Sequence, residues 1–79
     1  MKTVQISLNS IDKVKSFVNE ITKFEVDFDL ISGRYVIDAK SIMGIFSLDL
    51  SKPIDLSIHA DDSGRLEEIL ETIAPFICG

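Results

Sequence analysis

The chain has 79 residues, room for a single domain over residues 1–79 and no second core. Eight Lys plus Arg against thirteen Asp plus Glu leave a net charge of −5 at pH 7, the wrong sign for gripping nucleic-acid phosphates. A hydrophobic fraction of 46% with 27% charged residues fits a folded, water-soluble chain and argues against disorder.

The first strand is predicted over residues 3–8, where Val4, Ile6 and Leu8 alternate with Thr3, Gln5 and Ser7. From Ile11 the period becomes helical: Ile11, Val14, Phe17, Val18 and Ile21 share one face, with Asp12, Lys13, Lys15, Asn19 and Glu20 between them. Asn9 or Ser10 is placed to cap this helix, and Lys23 suits its negative end. Alternation resumes at Val26, Phe28 and Leu30, with Asp27 and Asp29 on the opposite side. Ser32-Gly33 reads as a two-residue hairpin turn, followed by a strand with Tyr35, Ile37 and Ala39 inward. That hairpin sets Asp27 against Asp38.

A short second helix is expected from Ser41, its cap, to Leu48. Lys52-Pro53 leads into a fourth strand with Ile54, Leu56, Ile58 and Ala60 inward. Asp61, Asp62 and Ser63 start a last helix carrying Leu66, Ile69, Leu70 and Ile73, which Pro75 stops. Glu67 and Glu68 are expected to favour the positive end of its dipole. The order is β-α-β-β-α-β-α, an α+β fold. Each strand has one apolar and one polar face, so the sheet should be antiparallel with helices on one side.

The search for chemistry is mostly negative. His59, the only histidine, falls on the polar face beside Asp55 and Ser57, where an open sheet offers no pocket for catalysis. Asp27, Asp29, Asp38 and Asp55 share that face, and a solvated acidic surface explains them better than a metal site, so neither metal nor cofactor is expected. Cys78, the single cysteine, has no internal partner and no activating neighbour, and reads as a tail residue. No apolar run reaches the roughly 18–20 residues of a membrane span, and a cytoplasmic location is expected. The stretch KSIMGIFSL, residues 40–48, is different. Ile42, Met43, Ile45, Phe46 and Leu48 are more apolar side chains than one short helix can bury, which suggests an exposed patch.

The run KSIMGIFSLDL closely resembles the second-helix segment of HPr, the phosphocarrier of the bacterial phosphoenolpyruvate-dependent sugar phosphotransferase system. The likeness extends over nearly the whole chain: Lys23-Phe24 is similar to the end of the first helix of that family and Ser32-Gly33 to its hairpin turn. It implies an open-faced β-sandwich, four antiparallel strands in the order 1-4-2-3 with three helices on one face. HPr carries phosphate on a histidine in a His-Ala-Arg-Pro-like run at the start of its first helix. Counting back without gaps from Phe24, that position holds Ser10, with Asp12 in place of the arginine and Lys13 in place of the proline. The serine that a dedicated ATP-dependent kinase modifies in Gram-positive members corresponds to Ser41, where a phosphate would meet the helix dipole and Lys40. Ile42, Met43 and Phe46 correspond to the family's docking surface.

The resemblance thus implies a non-enzymatic regulatory relative without histidine phosphotransfer, comparable to the catabolite-repression paralogue of HPr. Its partners would be proteins of the phosphotransferase and catabolite-regulation machinery, including a serine kinase, and it would act as a monomer or a strand-swapped dimer. Two alternatives stand beside it. One is a degenerate scaffold for an unrelated partner; the other is an atypical carrier using a residue such as Ser10 or His59, although neither has a neighbouring base.

Overall fold

The computed structural model describes residues 2–78. The elements are β1 (Lys2–Ile6), α1 (Ile11–Ile21), β2 (Asp27–Ser32), β3 (Tyr35–Asp38), α2 (Ile42–Phe46), β4 (Ile54–His59) and α3 (Ser63–Ile73), with a 3₁₀ turn at Ala74–Phe76 after α3. The strands form one antiparallel sheet in the order β1-β4-β2-β3. This is the open-faced α+β architecture expected from the pattern and the resemblance. Among the described residues no helix is long and apolar enough to cross a membrane.

Each helix forms where the sequence supplies both a cap and an apolar stripe. Ser10 lies in extended backbone and its hydroxyl accepts a bond from the Lys13 N–H, while Val14, Phe17 and Ile21 bury one face of α1. Asp62 does the same for α3 by accepting from the Gly64 N–H, and Ile69 and Ile73 face the core. Glu67 and Glu68 therefore lie beyond the first turn of α3, and Asp62 is the carboxylate at its positive end.

β4 is central: Ile54, Leu56 and Ile58 are at most 1% exposed and meet Phe28 and Leu30 of β2. Phe17 and Phe76 add an edge-to-face contact with ring centroids 5.6 Å apart. Burying each large side chain stabilises the fold by roughly 1.5–3 kcal/mol, whereas a cap is worth about 1 kcal/mol. The core therefore decides the fold and the caps decide where helices begin. At the outer side of β1, Ile6 bridges to Ile77, Ser7 N–H donates to Phe76 O at 2.8 Å, and Cys78 N–H donates to Gln5 O at 3.0 Å.

Four local readings need correction. Ser32 pairs with Tyr35, so the hairpin loop is Gly33-Arg34 rather than Ser32-Gly33. Both primed hairpin turns require positive φ at the first loop residue, and Gly33, at φ 60°, meets that requirement where Ser32 would be strained. The new frame sets Asp38 against Asp29, and Asp27 instead faces His59. Tyr35 is not in the core; it sits at the sheet's end and is 69% exposed. Ile11 likewise leaves the apolar stripe at the first turn of α1 and is exposed.

Candidate functional site

Ser10 and Asp12 lie at the start of α1, and Ser41, Ile42, Met43 and Phe46 cap or belong to the short neighbouring helix α2. At α1, Ser10 makes one side-chain bond, accepting from Lys13 N–H at 3.1 Å, and Asp12, Lys13 and Lys15 around it are exposed. Among the described residues, no carboxylate or imidazole is bonded to the Ser10 hydroxyl. It is built as a cap, without the base that would make it a nucleophile.

At α2, Ser41 is exposed and its hydroxyl accepts from Gly44 N–H at 3.3 Å. Its own N–H donates to Asp38 O at 3.0 Å, which fixes α2 to the end of β3. Gly44 allows the close packing: a Cβ there would come within 3.3 Å of both Ser41 Oγ and Ile37 Cδ1. The five residues of α2 bury only Ile45 completely. Ile42 is half-buried, Met43 is 77% exposed and Phe46 40% exposed, so an apolar surface does stand beside Ser41.

Lys40 behaves differently from the expectation. Its ammonium donates to Phe24 O at 2.9 Å and lies 5.7 Å from the centre of the Phe28 ring. It therefore ties the end of the α1 region to the strand preceding α2, and is already engaged by groups other than Ser41.

The far face of the sheet carries the remaining polar residues. His59 Nε2 lies 2.8 Å from Asp29 Oδ2, on the neighbouring strand β2, instead of pairing with Asp55 along its own strand. Ser57, between them in the register, is 5% exposed. Asp38, directly opposite Asp29, accepts from Lys40 N–H at 2.9 Å, which offsets part of that like-charge contact. Among the described residues, no three His, Cys, Asp or Glu side chains are arranged to hold a metal ion. The Ser51 hydroxyl and backbone N–H both donate to Asp49 and hold its carboxyl below the usual value of 3.8.

Sequence reasoning missed the His59–Asp29 pair and the Lys40–Phe24 tie. Both cross between elements, so only the strand order 4-2-3 and its register would have revealed them.

Residues 13–78 match the family described as PTS HPr component phosphorylation site, a match that begins after Ser10 and Asp12. No curated protein matches the sequence significantly. Among solved structures, HPr-C-His from Thermoanaerobacter tengcongensis is 29% identical with a TM-score of 0.72, over 92% of this chain and 90% of that one. Phosphocarrier protein HPr from Bacillus anthracis is 31% identical with a TM-score of 0.68, over 98% of this chain and 94% of that one. A histidine-containing phosphocarrier protein from Mycoplasma, at 18% identity and a TM-score of 0.66 over 99% of this chain and 98% of that one, shares the fold. The chain therefore belongs to the HPr family of the phosphotransferase system.

Proposed function

We propose that this chain is a regulatory, protein-binding member of the HPr family that is not an enzyme and carries no phosphoryl group on histidine. In this reading Ser41 is a phosphorylation site. Ile42, Met43 and Phe46 form the surface that meets proteins of the phosphotransferase and catabolite-regulation machinery. The observation that carries it is the placement of the only histidine: His59 stands on the far face of the sheet, bonded to Asp29, and the ungapped count back from Phe24 that sets Ser10 opposite the family's histidine agrees with it.

The chemistry supports the same conclusion. An imidazole nitrogen is a good nucleophile near neutral pH and, once phosphorylated, a good leaving group. A serine hydroxyl needs a base to attack and holds phosphate as a stable ester. Asp12 also places negative charge where the family has a cation, which disfavours an incoming phosphate. Ser41 suits a stable modification better, because it is exposed and adjoins the half-exposed apolar residues. A phosphate there would add nearly two charges at the rim of that surface.

Incubation with the general phosphotransferase enzyme and phosphoenolpyruvate is expected to leave the protein unlabelled while an HPr control is labelled. Acid-labile, base-stable phosphate on this chain would overturn the reading. Incubation with the serine kinase of HPr and ATP is expected to place one phosphate on Ser41, read by mass spectrometry, and an unmodified Ser41 would remove the switch.

A further inference from the structure

The two outer strands of the sheet are finished differently. β1 is flanked by the backbone of Ile77 and Cys78, whereas β3 has no described neighbour beyond it. β3 carries no proline or lysine, and Tyr35 and Val36 are 69% and 62% exposed, so its protection against pairing rests on its four-residue length and on Asp38 alone.

The direction of its backbone groups follows from the register. Ser32 and Tyr35 close the hairpin, and Ala39 N–H donates to Phe28 O at 2.9 Å. Residues 35, 37 and 39 thus turn their hydrogen-bonding groups toward β2, and alternation turns those of Val36 outward. The side-chain order along this edge reads Arg34, Tyr35, Val36, Ile37, Asp38. Reversed about Val36, it pairs with itself: Arg34 meets Asp38, Tyr35 meets Ile37 and Val36 meets Val36. Arg34 makes no ion pair among the described residues, and Asp38 lies against Asp29 and gains from a cation.

We infer that β3 is a self-association edge, through which two copies of this chain join antiparallel about a two-fold axis at Val36. The result is one continuous sheet of eight strands, four from each copy, with each Arg34 beside Asp38 of the other copy. The two Val36 residues exchange backbone hydrogen bonds, and the exposed Tyr35 covers Ile37 of the second copy. No segment changes places between copies, so the arrangement differs from a strand swap. An isologous contact of this kind closes on itself and stops at two copies, because it consumes the free edge of each. The strand is only four residues long, so the dimer is weak and concentration-dependent.

The test is sedimentation equilibrium of the full chain across a concentration series, in about 0.15 M salt, where the Debye length of about 8 Å screens the repulsion between two acidic molecules. The unmodified chain is expected to move from monomer to dimer as concentration rises. Arg34→Asp sets Asp against Asp and should remain monomeric, as should Asp38→Arg, which sets Arg against Arg. An equimolar mixture of the two variants restores both opposite-charge pairs and should form a heterodimer. Val36→Lys, at an exposed site the fold tolerates, places two ammonium groups face to face and should also abolish pairing. A chain that stays monomeric throughout, or a dimer indifferent to these variants, overturns the assignment.

Discussion

Replacing Ser10 with alanine tests whether this residue acts as the cap of α1. The hydroxyl accepts from Lys13 N–H at 3.1 Å and so satisfies one of the four amides that the first turn of α1 leaves without an intrahelical partner. The site is exposed, so water replaces part of the lost bond. The cost is then about 1 kcal/mol, in the middle of the range for N-caps. For a domain of this size 1 kcal/mol corresponds to a Tm lower by roughly 4–8 °C. Ser10→Asn and Ser10→Asp keep a side-chain acceptor at the cap and should melt within a few tenths of a kcal/mol of the parent. Thermal melts followed by circular dichroism, with urea titrations as a second measure, read all three variants. If the alanine variant melts with the parent, or if asparagine is as harmful as alanine, Ser10 is not acting as a cap. A cap also has a functional signature: the asparagine variant should bind partners as the parent does, whereas a phosphate acceptor would lose its activity on the same change.

Phe17→Ala removes a fully buried ring and its contact with Phe76, and should cost about 3–5 kcal/mol, visible as a much lower urea midpoint. Met43→Ala should change stability by no more than about 0.5 kcal/mol because the side chain is largely exposed, yet weaken partner binding measured by calorimetry; unaltered binding would remove Met43 from the contact surface. Asp49 has its folded-state pKa lowered by Ser51, so its favourable contribution is present above the unfolded carboxylate pKa and is lost as pH falls through the folded value. Ser51→Ala should move Asp49 back up toward 3.8 in an NMR titration, and an unchanged midpoint would refute the cause.

The elements that could be read from the sequence were those specified locally. The 3.6-residue spacing of Val14, Phe17 and Ile21, and the alternation of Ile54, Leu56 and Ile58, each encode one buried face, and Ser10, Ser41 and Asp62 mark helix starts by side-chain chemistry alone. The errors came from register. A hairpin frame shifted by one residue moved the loop from Ser32-Gly33 to Gly33-Arg34 and set Asp29, not Asp27, against Asp38. At the site, the order of apolar residues in α2 foretold that some would stay outside, but not that Ile45 would take the single buried position while Met43 stood out. The ammonium of Lys40 was assigned by sequence proximity to Ser41, and the fold gives it instead to Phe24, sixteen residues earlier. Contacts between distant segments carry no periodic signal, and these are the ones that needed coordinates.

The position of β1 bears on synthesis at the ribosome. Its neighbours are β4 on one side and the backbone of Ile77 and Cys78 on the other, all encoded in the last part of the chain described here. β1 therefore waits, unpaired, while the β2–β3 hairpin and the helix after it are already able to form. Val4, Ile6 and Leu8 spend that interval open to solvent, so the nascent chain is exposed to misassociation and to chaperones at this segment until β4 and the stretch around Ile77 arrive.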